Sequence, residues 1–273
     1  MAFTFVVCTN NKEILQNNLM ASPCFRGSHP HQILVQESFH SAAAAYNDAL
    51  RKAVNDIIVF VHQDILFPEA WVSQFERSLQ ILKERDPNWG VLGCYGETLN
   101  DGGRGYVYSG GIGILGKPFD LPAPVQTLDE IVLVLRVSSG LKFDELLPNF
   151  HFYGADICMQ AAARGLANYA ISAFCIHNTQ LNLVLPKEFY ESYRYMKRKW
   201  KNSLPIQTTC VRMAKSDRYM YVRRIREAWL RITGRNSVGA SRAMDGAALL
   251  AEFDSASRTV VDLDYKNGGY ASQ

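Results

Sequence analysis

The stretch Asp56-Ile57-Ile58-Val59-Phe60-Val61-His62-Gln63-Asp64 is an almost purely apolar run, rich in β-branched residues, that stops abruptly at His62 and Asp64. Such a run reads as a strand buried on both faces, and strands of that kind belong to parallel sheets covered by helices. Side chains alternate along a strand, so His62 and Asp64 point the same way and offer an imidazole and a carboxylate together at its C-terminal end. That end is where open α/β sheets take their ligands. The same residues also suit a core strand running out into a polar loop, so the run alone leaves structure and site both open.

The flanking sequence supplies a βαβαβ order. Residues 3–8 read as a first strand closed by the polar turn Thr9-Asn10-Asn11, and residues 12–20 carry helical spacing at Ile14, Leu15 and Leu19. A loop containing Gly27 and Pro30 leads to a short strand, residues 32–37, ending in Glu37. An alanine-rich helix bearing Asn47 follows over 41–53, and then the central strand. Three strands ending in polar groups (Thr9 and Asn10, Glu37, His62 and Asp64) line one rim of a sheet, as a nucleotide site requires.

Farther on, residues 68–83 form an amphipathic helix that opens on Pro68, and residues 89–94 form another buried strand. The glycine- and proline-rich 96–124 region reads as hairpins or loops, and residues 128–135 as a strand or edge segment. An aromatic loop, Phe150-His151-Phe152-Tyr153-Gly154-Ala155, runs into Asp156 and an alanine-rich helix that Gly165 ends. Asp156 at a helix start serves as an N-cap worth about 1 kcal/mol, or as a carboxylate that the helix dipole keeps ionised for general base work. Residues 169–177 read as a final strand whose last residue is His177.

Taken together, these segments resemble the GT-A fold of nucleotide-sugar glycosyltransferases, in particular the inverting family 2 type, over roughly residues 3–180. The fold implied is α/β and Rossmann-like, a mostly parallel sheet flanked by helices, with a helical basic C-terminal extension. That family's DxD motif holds a divalent metal and the donor diphosphate; here it reads His62-Gln63-Asp64. The resemblance implies Asp64 as metal ligand, His177 as the second ligand, His62 against the donor ribose or phosphate, and Asp156 as catalytic base, although Ala155 stands where an acid usually precedes it. Thr9, Asn10, Asn47 and Glu37 fall on the donor side, with Glu37 in place of the expected Asp. A hard cation stabilises the departing diphosphate, and an imidazole ligand favours Mn²⁺ over Mg²⁺. The implied reaction moves a sugar from a nucleoside-diphosphate sugar to an acceptor hydroxyl on a glycan or lipid-linked molecule. A second reading is a non-catalytic nucleotide-binding module that uses its basic segment to bind a partner or polyanion.

No apolar run approaches the roughly 20 residues that cross a bilayer, and the N-terminus lacks a basic region and cleavage site, which suggests a cytoplasmic protein. The six cysteines are scattered without a CxxC pair and read as buried thiols. Net charge is +3, but residues 186–235 hold 14 Lys or Arg against 4 Asp or Glu, a local +10 that leaves the remainder at −7. The organisation expected is therefore a catalytic domain over 1–185, a basic helical extension over 186–235 and a partly flexible tail over 236–273 with a short helix over 247–253. The extension suits a helix packed on the domain with a solvated basic face, or peripheral docking to the inner face of an anionic membrane. No nucleic-acid module accompanies the charge.

Overall fold

The structure, a computed structural model, describes residues 1–26, 28–235, 237–238 and 246–253. The chain opens with β1 (Thr4–Thr9), α1 (Lys12–Asn17), β2 (Gln32–Glu37), α2 (Ala42–Lys52) and β3 (Ile57–His62). It continues through β4 (Ile65–Leu66), α3 (Trp71–Arg85), β5 (Leu92–Gly93), β6 (Tyr95–Glu97), β7 (Gly103–Ser109), β8 (Gly113–Gly116), β9 (Ala123–Val125), β10 (Thr127–Leu128) and β11 (Val132–Arg136). Then come α4 (Tyr153–Ala163), β12 (Asn168–Ala170), β13 (Cys175–His177), β14 (Leu181–Asn182), α5 (Lys187–Lys199), β15 (Ile206–Gln207), β16 (Arg212–Met213), α6 (Arg218–Ile232), β17 (Ser237–Val238) and α7 (Gly246–Glu252).

The expected α/β architecture is present. A seven-stranded sheet runs β2-β1-β3-β11-β5-β12-β9. Its first three strands are parallel, and their register sets Thr9 beside Glu37 and Cys8 beside His62, so the three polar strand ends do share one rim. β3 is buried on both faces as its composition requires. Ile58 and Phe60 enter a cluster with α2, α4 and α5, while Val59 and Val61 enter the opposite cluster with α3.

Two expectations are corrected. Residues 132–136 form an interior strand, antiparallel to both β3 and β5, so the sheet is mixed and parallel mainly on the side of the strand rim. Val132 to Leu135 are all fully buried, which an edge would not allow. The stretch 169–177 is two strands in different sheets, because Phe174 N–H donates to Gln74 and the Ser172 hydroxyl accepts from Phe119 N–H where the chain leaves β12.

That division builds a second sheet, β10-β6-β7-β13-β4, with β8 on β7. β3 ends in the large sheet and β4 begins in the small one only three residues later. At the C-terminal side, α5 buries Phe189, Tyr193 and Met196 in the same cluster as α2 and α4, so residues 187–199 share the core of the preceding chain. The short helix expected over 247–253 is α7, whose Leu249 packs with Leu66, Phe174 and Ile176. Apart from residues 237–238 and 246–253, the 236–273 tail, like Gly27, lies outside the described residues.

Candidate active site

The β3-to-β4 crossing brings three separated side chains together. β13 pairs antiparallel with β4, matching His177 with Ile65, so the imidazole that closes β13 lies next to Asp64 in the crossing turn. His177 Nε2 stands 3.4 Å from Asp64 Oδ1, and the His62 and His177 rings are 5.7 Å apart between centroids. One ligating atom from each of His62, Asp64 and His177 lies within 4.8 Å of the others. Burial holds the His62 imidazole below its ordinary pKa; Asp64 opposes that shift and His177 adds to it.

Hydrogen bonding ties the His62 ring to Tyr153. Tyr153 Oη lies 2.9 Å from His62 Nε2 and donates to the Glu130 carbonyl at 3.4 Å. This contact orients the His62 ring against the start of α4. Two imidazoles and a carboxylate form a donor set suited to Mn²⁺ and similar divalent ions and ill suited to Mg²⁺, which favours oxygen.

Two cavities meet at this cluster. The first, about 640 Å³, is lined by Thr9, Asn10, Lys12, Glu37, His62 and Asp64 among others. The second, about 590 Å³, is lined by His62 and His177 together with Asp129, Glu130, His151 and Ala155. His62 belongs to both walls. The sequence reading did not single out Gln63, which organises the first cavity. Its Oε1 accepts from Thr9 Oγ1 at 2.6 Å and from the Asn11 amide at 3.2 Å, and its Nε2 donates to Asn10 Oδ1 at 2.8 Å. Asn11 in turn caps α1 through Oδ1. Glu37 is exposed on the rim and pairs with Lys12 at 3.3 Å.

The other two expected residues lie elsewhere. Asn47 lines neither cavity; its Nδ2 donates to the Phe143 carbonyl and Glu145, and its Oδ1 accepts from the Phe143 amide, so its polar capacity pins the 143–145 segment to α2. Asp156 is 1% exposed and also lines neither cavity. Its Oδ1 accepts from Trp200 Nε1 at 2.7 Å, and its Oδ2 accepts from Gln160 and Lys199, both at 2.8 Å. Lys199 bridges on to Asp144 at 2.6 Å. It is the preceding residue, Ala155, that faces the second cavity.

Three carboxyl groups, Glu97, Asp129 and Glu130, line the second cavity, and Glu130 is the one that packs against the start of α4. Burial raises its pKa to about 8, and Asp129 adds to the rise; the amides of Gly154, Tyr153 and Phe152 at the start of α4 oppose it. The Gly154 amide donates to Oε1 at 3.2 Å. A Cβ on Gly154 would stand 2.9 Å from Glu130 Cγ, so this approach requires glycine. The backbone just before it is strained, with Phe152 at φ +66°.

A family model described as "Glycosyltransferase like family" matches residues 4–201. A curated protein from Fuscovulum blasticum, described as "ATP synthase subunits region ORF 6", is 27% identical over 153 residues, covering 54% of this chain and 61% of that protein. The chain therefore spans less than two thirds of that relative. Among solved structures, S. aureus TarS 1–349 is similar over 74% of this chain and 66% of its own, at 17% identity and a TM-score of 0.47. Mannosyltransferase PcManGT from Pyrobaculum calidifontis, in complex with GDP-Man and Mn²⁺, is similar over 93% and 79%, at 13% identity and a TM-score of 0.45.

Proposed function

This chain belongs to the glycosyltransferase-like family, and from that premise we propose that it transfers a sugar from a nucleoside-diphosphate donor to an acceptor hydroxyl with the help of a divalent metal. The observation that carries this reading is the meeting of two cavities at His62, Asp64 and His177. The first cavity, with Thr9, Asn10 and Glu37 on its wall, takes the nucleotide; the second takes the sugar and the acceptor. His62, Asp64 and His177 would hold Mn²⁺, which when bound supplies Lewis-acid stabilisation for the diphosphate leaving group. Tyr153 orients the His62 ring, and Gln63 fixes the 9–11 turn on the donor side.

The acceptor hydroxyl becomes a competent nucleophile only as it loses its proton, a contribution of about 10²- to 10⁴-fold. We assign that proton to Glu130, which faces the second cavity and whose pKa of about 8 suits a base that works near neutral to mildly alkaline pH. Asp156 is the base implied by family resemblance. To serve, it must first exchange Lys199 and Trp200 for the acceptor. Attack opposite the leaving group inverts the anomeric centre, which NMR of the product's anomeric proton reads directly.

The test is thermal unfolding with UDP, GDP and related nucleotides, with and without Mn²⁺. A ligand specific to the native state adds about 2.7 kcal/mol at a hundredfold excess over its Kd. Stabilisation by one nucleotide only with metal, lost in Asp64→Ala, supports the site; no shift with any nucleotide refutes it. With a donor in hand, transfer lost in Glu130→Gln and kept in Asp156→Asn assigns the base to Glu130, and the reverse pattern assigns it to Asp156.

A further inference from the structure

Helix α6 is apolar on the face it turns away from the protein. Its inner side buries Met220, Glu227 and Leu230. At the helical period of 100° per residue, Tyr221, Ile225, Ile232, Trp229 and Val222 fall within one arc of about 100° on the outer side. These five residues are 54–85% exposed. Arg224 and Arg231 flank one border of the arc and Arg226 the other, all three exposed, with Arg224 also over the Tyr190 ring and Arg231 also donating to the Leu185 carbonyl; Arg218 stands at the N-terminal end of the arc itself. The helix carries one acid, Glu227, which is buried and bonded to Arg223 and Tyr190. The surface offered is therefore an apolar stripe between two cationic borders with no exposed carboxylate on the helix. No described helix is long and apolar enough to cross a membrane.

We propose that α6 docks in the plane of an anionic lipid bilayer, with Val222, Ile225, Trp229 and Ile232 entering the headgroup boundary and the flanking arginines contacting lipid phosphates. Charge complementarity selects this occupant. A second copy of the chain would bring two arginine borders together, whereas anionic lipid meets both at once. A Trp and a Tyr on the stripe suit the interface, where an amphipathic ring has one apolar and one wet end. Arginine stems cover apolar surface while their guanidinium groups stay at headgroup level. The contact belongs to α6 and not to α5, whose Phe189, Tyr193 and Met196 are core residues.

The full chain is mixed with phosphatidylcholine vesicles with and without about 30% phosphatidylserine, and binding is read by flotation and by the blue shift of Trp fluorescence. The expected result is binding to the anionic vesicles alone, weakened by salt. A change of about fivefold in partition is expected for each of Arg226→Gln and Arg231→Gln, since one basic residue near such a surface contributes about 1 kcal/mol. The triple variant Val222→Ser, Ile225→Ser, Ile232→Ser replaces only exposed side chains and should keep the wild-type unfolding transition while losing vesicle binding. Absence of binding to anionic vesicles at low salt overturns the proposal, as does undiminished binding by the triple variant. A dimer in sedimentation that the triple variant abolishes, with no vesicle binding, overturns it in favour of self-association.

Discussion

Replacing Glu130 with glutamine should stabilise the fold, and the gain should grow with pH. Burial lifts the Glu130 pKa from 4.5 to about 8. Between those values the unfolded chain has released its proton and the native state still holds it, so native stability falls as pH rises through the interval. Below pH 4.5 both states are protonated and no penalty exists; above pH 8 both are ionised and the penalty is complete. The gap of about 3.5 units at 1.36 kcal/mol each sets a ceiling of about 5 kcal/mol. The residue keeps some contact with water, and screening reduces the expected effect to about 2–3 kcal/mol. Glutamine has the shape of the protonated acid and keeps an acceptor for the Gly154 amide, but it has nothing to ionise. Urea unfolding of both proteins at pH 5, 6, 7 and 8.5 should show near-equal stability at pH 5 and a variant more stable by about 2–3 kcal/mol at pH 8.5, with unchanged m-values. A difference that stays constant with pH, or a variant less stable at pH 8.5, would refute the argument that burial governs this carboxyl.

Four further outcomes follow from the geometry. Tyr153→Phe removes the bond that orients His62 and should weaken Mn²⁺ affinity by about 10- to 100-fold in titration calorimetry. His177→Ala should abolish that heat while leaving the far-UV circular dichroism spectrum intact. Lys199→Met leaves Asp144 and Asp156 facing each other without their shared cation, and chemical unfolding should show a loss of about 3 kcal/mol. Gly154→Ala drives a methyl group toward Glu130 and the Leu128 carbonyl, at 2.9 and 3.0 Å, and should cost about 1–3 kcal/mol by the same measurement.

Local patterns carried the first half of the fold into view. The run from Ile57 to Val61 has a β-branched composition that only a strand buried on both faces satisfies, and the strand ends at Thr9, Glu37 and His62 share a rim because three neighbouring parallel strands leave them little choice. What stayed hidden depends on partners far along the chain. β11 reads like an edge because nothing near Val132 announces that β3 and β5 will flank it. Asp156 reads as a helix-start acid, yet Lys199 and Trp200, more than 40 residues away, take up its oxygens. Asn47 is bound by a segment 96 residues downstream. Glu130 left a faint trace as half of an acid pair opening an apolar strand, and Gln63 left only its position between His62 and Asp64.

The passage of the chain from one sheet to the other within the turn 63–64 gives the His62, Asp64 and His177 cluster a mechanical consequence. His62 closes a strand of the large sheet, His177 closes a strand of the small one, and Asp64 lies in the link between them. A cation held by all three would act as a rivet across the seam. The amides of β4 and β13, each in a strand of two or three residues, exchange with solvent through local opening of that seam. Riveting it should slow their exchange far more than that of β1, adding a bond through a cation to the apolar core that the two sheets already share.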